Sequence, residues 1–212
     1  MNKIDKKKSS AEELWQYCLK EYQSQNPFIK YLVDRYFRDI RNILRMFDKK
    51  SRLLEVGCGA AESSRRIAAM LDGQYFEVSE YDERYIRKLR ESQVPFKVTQ
   101  ESVYALKRKD DEFDCVLLLE VLEHLDDVDL ALKELFRVSR RYVVISVPHE
   151  PIWRIMNMLR LKYLKSLGNT PDHIHHWSTA SLRKLIARFS KVKKIYTPLP
   201  WIIVLAEKKN DS

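Results

Sequence analysis

The spacing of apolar residues divides the chain into two regions. In the first, apolar residues recur about every three to four positions, which predicts two amphipathic helices over residues 10–24 and 27–48. In the second, short apolar runs alternate with helical segments, as is typical of an α/β domain. We therefore expect a helical N-terminal extension over residues 1–50 that packs on an α/β domain over residues 51–212.

The second region contains seven apolar segments that predict strands. They cover residues 53–56, 75–79, 96–98, 113–119, 142–147, 193–196 and 202–206, and the predicted helices cover residues 61–71, 83–91, 128–138 and 179–189. The fourth segment is almost continuously apolar, as in parallel strands that are covered on both faces. The alternation predicts a Rossmann-like, doubly wound and mostly parallel seven-stranded sheet, whose ligands bind at the carboxyl ends of the strands.

One stretch interrupts the alternation after the fifth predicted strand. Residues 150–177 combine apolar side chains such as Trp153 with basic ones such as Arg154 and Arg160, which predicts a basic amphipathic helix over residues 152–167. This insertion could form a lid over an apolar or anionic acceptor, rest on a membrane surface or pack on the core. Its position beside the expected ligand site favours the lid.

Glycine is scarce in this chain, which makes its positions informative. Only four glycines occur in 212 residues, and two of them, Gly57 and Gly59, follow the first predicted strand. Gly57 can adopt a positive φ angle, and Gly59 lets a ligand approach the backbone closely. A dinucleotide-binding loop would carry a third glycine at the next fingerprint position, where Glu62 would instead repel a pyrophosphate. NAD and FAD are therefore disfavoured, and a tight turn without a ligand is the alternative.

Acidic residues at the ends of neighbouring strands favour a ligand at this loop. Glu80 ends the second predicted strand about 20 residues beyond the loop, where a carboxylate can accept two hydrogen bonds from a ribose diol. Glu55 lies just before the loop, and Glu120 follows the fourth predicted strand. Three carboxylates around one loop suit a cationic ligand that carries a ribose.

Three segments carry a family resemblance. They are residues 53–61 (LLEVGCGAA), 113–125 (FDCVLLLEVLEHL) and 132–148 (LKELFRVSRRYVVISVP). Together they resemble the class I S-adenosylmethionine-dependent methyltransferases, in particular the small-molecule, quinone-biosynthesis-like branch (methyltransferase type 11). The resemblance covers residues 50–148 and continues more weakly through residues 169–177 (NTPDHIHHW). It implies S-adenosylmethionine as the cofactor and S-adenosylhomocysteine as its product.

The resemblance also implies which residues bind this cofactor. Those near the methionine and the ribose are Glu55, Gly57, Gly59, Glu80 and Glu120, and those near the adenine are Tyr81, Ser102 and Val103. In the family's pattern, Glu55 orders the loop near the methionine amino group, and Glu80 accepts the ribose hydroxyls. The chain departs from that pattern at Ala61, which replaces a third glycine, and at Ser102, which replaces a common aspartate.

Histidines provide the candidates for a general base. Methyl transfer from a sulfonium is an in-line displacement that depends on alignment and on the exclusion of water, so a base is optional. His149, after the fifth predicted strand, and His173 are the candidate catalytic residues, because a neutral imidazole can accept a proton near neutral pH. Each of them could instead be a packed, hydrogen-bonded residue without a catalytic role.

We expect no metal ion in this protein. Asp172, His173 and His175 could form a metal site, but their spacing alone is weak evidence, and methyl transfer needs no metal. Glu123 and His124 are expected to cap and orient the loop after the fourth predicted strand.

Composition limits the compartment. No apolar run reaches about 18 residues, and the polar start of the chain does not resemble a secretory signal. The three cysteines, Cys18, Cys58 and Cys115, are scattered, which argues against a disulfide framework. We therefore expect a cytoplasmic protein without a transmembrane segment.

The net charge of +9 is unevenly distributed. Residues 136–212 carry +11 and residues 51–135 carry −7, so the basic part could bind an anionic partner such as RNA. However, enzymes that methylate the exocyclic amines of bases generally carry an Asn/Asp-Pro-Pro-aromatic motif after the fourth strand. Residues 119–121 of this chain read Leu-Glu-Val instead. The predicted function is methyl transfer to a small-molecule or lipid-like acceptor. An RNA methyltransferase and a non-catalytic S-adenosylmethionine-binding protein are the alternatives.

Overall fold

The chain folds around one seven-stranded sheet. The computed structural model describes residues 10–13, 15–16, 24–159, 166–170 and 173–209. The strands are β1 (Arg52–Val56), β2 (Tyr75–Glu80), β3 (Lys97–Gln100), β4 (Phe113–Leu119), β5 (Ser139–Pro148), β6 (Ser190–Tyr196) and β7 (Trp201–Lys208). The helices that follow residue 26 are α1 (Pro27–Leu44), α2 (Glu62–Ala68), α3 (Glu83–Glu91), α4 (Val128–Val138), α5 (Ile152–Leu159) and α6 (Thr179–Ile186), with a 3₁₀ turn at Leu122–His124.

The order of the strands creates a crevice for a ligand. The order is β3-β2-β1-β4-β5-β7-β6, and among the described strands only β7 runs antiparallel to its neighbours. The chain winds outward from β1 to β3 and then returns to the other side of β1 with β4. Ligands of open α/β sheets bind where the strand order reverses in this way. The predicted Rossmann-like sheet is therefore confirmed, and the loop after β1 lies beside the end of β4.

Apolar side chains cover both faces of the sheet. Successive residues of a strand point to opposite faces, and Leu53 and Leu54 of β1 accordingly lie in two different clusters of buried side chains. In β4, Leu117 belongs to one cluster, and Val116 and Leu118 belong to the other. Because both faces are covered, β4 is apolar at almost every position, as its sequence predicts.

Helix α1 packs on one face of the sheet through an apolar stripe. Asn26 caps its start, because the side chain of this residue accepts hydrogen bonds from the backbone N–H groups of Phe28 (2.9 Å) and Ile29 (3.4 Å). The buried residues of the stripe are Leu32, Val33, Tyr36, Phe37, Ile40, Ile43 and Leu44. Most of them join the same cluster as Leu53, so α1 covers that face of the sheet.

Several predicted boundaries differ from the structure by one to four residues, and two of them have a visible cause. Helix α1 ends at Leu44 rather than at residue 48, because Phe47 turns back and packs its ring 5.8 Å from that of Tyr142. Strand β5 begins at Ser139 rather than at Tyr142, because the exposed residue Arg140 lies in extended backbone although its side chain is polar.

The insertion after β5 is described in part. Its predicted helix is present as α5 up to Leu159, and residues 160–165 and 171–172 lie outside the described part. Among the residues that the structure describes, no helix combines the length and the apolar character needed to cross a bilayer.

Candidate functional site

The loop after β1 has a backbone that requires glycine. Gly57 has a φ of +75°, and a Cβ atom built there would lie only 2.8 Å from Cγ2 of Val121. Gly59 has a φ of +52°, and a Cβ atom there would meet no atom within 4 Å. The backbone N–H of Gly57 donates a hydrogen bond of 2.8 Å to the carbonyl of Ser79 in β2. The loop is therefore packed against Val121 at one glycine and open at the other.

Glu55, near the end of β1, holds the start of the helix that follows the loop. This side chain is buried, and its two carboxylate oxygens each accept a hydrogen bond of 2.6 Å, one from the hydroxyl of Ser63 and one from that of Ser64. Burial raises the pKa of Glu55 to about 7, although the two hydroxyls oppose that shift. Glu55 thus ties β1 to the first turn of α2. Its predicted role near the methionine amino group stays a prediction.

Glu80 reaches the same loop from the end of β2. Oε2 accepts a hydrogen bond from the backbone N–H of Gly59 (2.8 Å), and Oε1 accepts from the N–H groups of Tyr81 (2.7 Å) and Asp82 (2.9 Å). Burial raises the pKa of Glu80, and these three hydrogen bonds limit the shift. The neighbouring Tyr81 side chain is 72% exposed. The structure therefore brings the predicted ribose acceptor to the glycine loop and leaves an exposed ring beside it.

The predicted adenine contacts lie after β3. The backbone N–H of Glu101 donates a hydrogen bond of 3.0 Å to the carbonyl of Glu80, so this segment lies beside the end of β2. Ser102 accepts a hydrogen bond of 3.3 Å on its hydroxyl from the N–H of Tyr104, and the side chain of Val103 is buried. Both predicted residues therefore stand next to the Glu80 side of the loop, in a short turn.

A buried ion-pair network supports this turn, and sequence reasoning missed it. Nη2 of Arg108 lies 2.8 Å from Oε1 of Glu101, and Nη1 of Arg108 lies 3.0 Å from Oε1 of Glu77. All three side chains are almost entirely buried. Nothing in the local pattern marks these residues as partners, since they belong to separate segments.

Glu120 joins the site to α1. Its φ angle is +58°, which is uncommon for a residue with a side chain and concentrates at functional sites. Its Oε1 accepts a hydrogen bond of 2.9 Å from Ser146 in β5, and the Ser146 hydroxyl lies 2.7 Å from that of Tyr36 in α1. Sequence reasoning missed Ser146 and Tyr36, which connect three elements at the carboxyl edge of the sheet.

The two candidate bases occupy different surroundings. His149 donates its backbone N–H to the carbonyl of Pro200 (2.8 Å), and its Nε2 lies 3.5 Å from the hydroxyl of Thr179. Partial burial lowers the pKa of His149. His173 is buried, and its ring centre lies 5.0 Å from that of His124. The structure thus places His149 near α6 and His173 near the 3₁₀ turn.

The 3₁₀ turn holds the segment that contains His173. The carbonyl of Glu123 accepts hydrogen bonds from the backbone N–H groups of Ile174 (3.0 Å) and His175 (3.2 Å). The side chain of Glu123 is buried, and its Oε1 lies 4.0 Å from Nε2 of His124. The carboxylate of Glu123 and the imidazoles of His124 and His173 form a compact group, whose ligand-type atoms all lie within 4.8 Å of one another.

The three residues weighed as a metal site from their spacing do not form that group. His175 is engaged elsewhere, because its Nε2 lies 2.9 Å from the carbonyl of Leu125 and its ring stacks on Trp177. Asp172 lies outside the described residues. Of the two that the structure describes, His173 belongs to the group around Glu123 and His175 does not.

A row of neighbouring aromatic rings lies at this edge of the sheet. The ring centres of Tyr36 and Trp201 are 5.1 Å apart, those of Trp201 and Trp153 are 6.2 Å apart, and those of Trp153 and His173 are 6.0 Å apart. Trp153 and Trp201 are partly exposed, whereas Tyr36 is only 3% exposed. We refer to Tyr36, Trp153 and Trp201 as the aromatic wall. Its two partly exposed members, Trp153 and Trp201, can contact a flat or apolar molecule at this edge of the sheet.

Comparisons with known proteins identify the family. A family model described as a methyltransferase domain matches residues 28–189. The chain is similar to a demethylmenaquinone methyltransferase of Streptomyces avermitilis, at 25% identity over 182 residues that cover 80% of this chain and 77% of the relative. It is also similar to a ubiquinone biosynthesis O-methyltransferase of Pelagibacter ubique, at 28% identity over 160 residues that cover 66% of this chain and 63%, less than two thirds, of the relative.

Solved structures share the fold at low sequence identity. The magnesium protoporphyrin IX methyltransferase of Synechocystis, solved with S-adenosylhomocysteine, has a TM-score of 0.65 at 15% identity, covering 94% of this chain and 95% of that one. A methyltransferase of Aquifex aeolicus has a TM-score of 0.62 at 15% identity, covering 81% of this chain and 90% of that one. Because the family model covers well over half of a chain that has this fold, the chain belongs to the methyltransferase-domain family and is an S-adenosylmethionine-dependent methyltransferase.

Proposed function

We propose that this enzyme transfers the methyl group to a small, flat and largely apolar acceptor that binds against the aromatic wall. One observation carries the proposal: β7 and α5 bring the partly exposed rings of Trp201 and Trp153 together at the carboxyl edge of the sheet, and the buried ring of Tyr36 in α1 packs against Trp201. Aromatic rings that are partly exposed offer apolar area and stacking partners for a ring-shaped ligand. The same edge contains Glu120 and the glycine loop, where the methyl donor is expected.

The relatives support an acceptor of this kind. One is named for demethylmenaquinone and the other for ubiquinone biosynthesis, and both names refer to quinones. A third methyltransferase, with the same fold, is named for magnesium protoporphyrin IX, another flat ring system. We propose that the acceptor of this chain shares the flat, apolar character of these molecules.

The reaction that we propose is an in-line displacement. A lone pair of the acceptor forms a bond to the methyl carbon as the carbon–sulfur bond breaks, and S-adenosylhomocysteine leaves as a neutral thioether. Gly57 and Gly59 allow the methionine and ribose portions to approach the backbone, and Glu80 accepts hydrogen bonds from the ribose hydroxyls. Such a site accelerates the reaction mainly by alignment and by excluding water.

We propose His149 as a base for acceptors that must lose a proton. Partial burial lowers the pKa of His149, so its imidazole is neutral at neutral pH and able to accept a proton. His149 follows β5 directly, at the same edge of the sheet as Glu120. His173 is the second candidate base, and it belongs to the compact group around Glu123.

We further propose that residues 150–177 cover the acceptor. Helix α5 directs Trp153 toward Trp201, whereas Ile155 and Leu159 on the same helix are 48% and 79% exposed. A helix with apolar side chains on both its inner and outer sides suits a cover over an apolar ligand.

The alternative of an RNA acceptor gains no support from the distribution of charge. Basic side chains of the C-terminal third pair with acidic residues of the middle segment, as in Arg140–Asp114 at 2.8 Å, Arg188–Asp129 at 2.6 Å and Lys208–Asp111 at 2.6 Å. Positive charge that the protein itself neutralises in this way is less available to phosphates. We therefore propose a small-molecule acceptor rather than RNA.

The cysteines support a reducing compartment. Cys58 and Cys115 are buried and free of disulfides. Protein thiols stay reduced in the cytoplasm, which we propose as the location of this enzyme.

The proposal can be tested by following the methyl group. The purified chain is incubated with methyl-labelled S-adenosylmethionine and with a cell extract divided into small-molecule, lipid, RNA and protein pools. We expect label in the small-molecule or lipid pool, and a large loss of transfer in Trp153→Ala while binding of S-adenosylmethionine is retained. Tyr75→Ala is the matched control, since Tyr75 is an exposed aromatic residue at the opposite, amino edge of the sheet.

Three outcomes would contradict the proposal. Label confined to RNA or protein would indicate a different class of acceptor. Equal losses in Trp153→Ala and Tyr75→Ala would mean that the aromatic wall does not bind the acceptor. Cofactor binding without label in any pool would favour the non-catalytic alternative.

A further inference from the structure

We propose that Glu123, His124 and His173 bind one divalent transition-metal ion at the carboxyl end of β4. The group lies outside the residues assigned to the cofactor, and nothing in the transfer of a methyl group by itself requires it. Its members come from two separate segments, the 3₁₀ turn at Leu122–His124 and the segment that follows residue 172.

The first support is geometric. One carboxylate oxygen and one ring nitrogen from each histidine lie within 4.8 Å of one another, and Glu123 Oε1 lies 4.0 Å from His124 Nε2. Ligand atoms about 2.1 Å from a tetrahedral ion lie roughly 3.4 Å apart. Small side-chain rotations therefore suffice to bring these donors onto one ion.

The second support is that the backbone holds the two segments together. The Glu123 carbonyl accepts hydrogen bonds from Ile174 (3.0 Å) and His175 (3.2 Å), the two residues that follow His173. Trp153 packs beside the His173 ring at 6.0 Å. Donors that are fixed in this way lose little conformational freedom when an ion binds, which favours affinity.

The third support is burial. Glu123 is 1% exposed and His173 is 9% exposed. A carboxylate that is withdrawn from water needs a compensating charge or strong hydrogen bonds, and buried charges in proteins are commonly paired or bound to metals. A buried carboxylate next to two imidazoles is therefore a suitable ligand for a divalent ion.

The donor set indicates the class of ion. Imidazole nitrogen suits zinc, iron, cobalt and nickel, whereas magnesium and calcium prefer sites made of oxygen. Two histidines and one carboxylate are the protein ligands of several catalytic zinc and iron sites, in which further positions stay open for water or substrate. The group therefore suits an ion that also binds a small ligand.

The location connects the ion to the acceptor, and this part of the inference rests on the proposed function. Val121, which contacts the Gly57 position, directly precedes the 3₁₀ turn that contains Glu123 and His124. His173 borders Trp153 of the aromatic wall. An oxygen of the acceptor could thus occupy an open position on the ion, which would lower the pKa of that oxygen and favour its attack on the methyl group.

The competing interpretation is that the group binds no metal. In that case, Glu123 and the two histidines form a hydrogen-bonded cluster that only orients the loop after β4. The two interpretations differ in whether the protein binds an ion in the absence of cofactor and acceptor. Metal content and spectra of the resting protein therefore distinguish them.

The experiment uses the full chain without an affinity tag, treated with a chelator and then titrated with Co²⁺. Visible absorption follows ligand binding to the ion, and elemental analysis after gel filtration gives the stoichiometry. We expect one cobalt per chain in the wild type, displaced by Zn²⁺. We expect about 100-fold weaker binding in Glu123→Gln and in His173→Asn. His176→Asn is the matched control, because it removes a neighbouring histidine outside the group, and it should bind cobalt as the wild type does.

Folding is verified in each variant by circular dichroism and by binding of S-adenosylmethionine. X-ray absorption of the cobalt-loaded wild type provides a measurement that needs no variant, and we expect it to show imidazole ligands. Absence of cobalt from the wild type, equal binding by all four proteins or a spectrum without imidazole would each overturn the metal site.

Failure of the proposed function would look different. If the wild type binds cobalt through imidazole but labels no small molecule or lipid, the metal site stands and the acceptor assignment falls. If it labels a small acceptor equally well before and after removal of metal, the role of the ion in binding the acceptor falls.

Discussion

At the scale of single residues, Glu80 has one observed task and one proposed task. Its carboxylate accepts three backbone hydrogen bonds, from Gly59, Tyr81 and Asp82. A carboxylate offers about four acceptor positions, so most of them are used by the protein itself. A ribose that donates two hydrogen bonds must therefore share one position with a backbone N–H group. Under the proposed function, the residue that accepts the ribose is thus also the residue that shapes the loop around it.

Replacing Glu80 tests this double task. In Glu80→Gln, one acceptor oxygen becomes an amide that can only donate, and the charge is lost. We expect the dissociation constant of S-adenosylmethionine to rise roughly 10- to 100-fold, since a hydrogen bond to a charged group contributes about 1.5–3 kcal/mol. Calorimetric titration measures it, with Glu91→Gln as the control because Glu91 is exposed at the end of α3. Unchanged affinity in Glu80→Gln would place the ribose elsewhere.

Gly57 allows a prediction about stability. In Gly57→Ala, the new Cβ atom would meet Val121 at 2.8 Å, and alanine would have to adopt a φ of +75°. Such a conformation costs about 1–3 kcal/mol in a residue other than glycine. We expect the free energy of unfolding, measured with urea, to fall by at least that amount. Adding Val121→Ala should restore the part of the stability that the clash removes. The part that the strained backbone removes should stay lost.

At the scale of elements, Glu55 connects β1 to α2. Burial raises the pKa of Glu55 from 4.5 to about 7 in the folded chain. Between those values the folded chain holds a proton that the unfolded chain has released. The contribution of Glu55 to the free energy of unfolding is therefore greatest below about pH 4.5. It decreases as the pH rises and levels off above about pH 7, and the total loss is roughly 3 kcal/mol.

The variant Glu55→Gln isolates this contribution. Glutamine can still hydrogen-bond to Ser63 and Ser64, but it does not titrate. We expect urea unfolding to show a smaller loss of stability between about pH 5 and about pH 7.5 in this variant than in the wild type. Glu91→Gln should retain the wild-type slope, and an equally steep slope in Glu55→Gln would exclude Glu55 as its origin.

The elements were predictable from sequence because their signals are local. The apolar runs of β1 and β4 and the glycines after β1 can be read from consecutive residues. The contacts between elements were not predictable in this way. Tyr36 and Ser146 are 110 positions apart, and no period or spacing links them. The same is true of Glu123 and His173, which fold into one group although the spacing around His173 indicated His175 as its partner.

At the scale of the whole molecule, folding mixes charges that the sequence separates. Residues 136–212 carry +11 and residues 51–135 carry −7. Strand β5 pairs with β4, and β7 and β6 extend the sheet beyond β5. Basic residues such as Lys208 of β7 then meet acidic ones such as Asp111, which precedes β4. Part of the positive charge of the C-terminal third is therefore paired with acidic residues of the middle segment in the folded chain.

This mixing predicts weak binding to nucleic acid. We expect the affinity for single-stranded RNA, measured by fluorescence anisotropy at physiological salt, to be no tighter than about micromolar, the range of non-specific binding. Nanomolar affinity that falls steeply with salt would show that enough basic side chains remain available to phosphates. Such a result would reopen RNA as the acceptor.

The contact between Val121 and the Gly57 position has a consequence for how binding at the two proposed sites is coupled. Val121 borders the glycine loop on one side and directly precedes the turn of Glu123 and His124 on the other. A ligand that displaces Val121 from either side changes the free energy of binding on the opposite side. Thermodynamic linkage requires this change to be equal in both directions, so the affinity that the donor adds to the acceptor is the affinity that the acceptor adds to the donor.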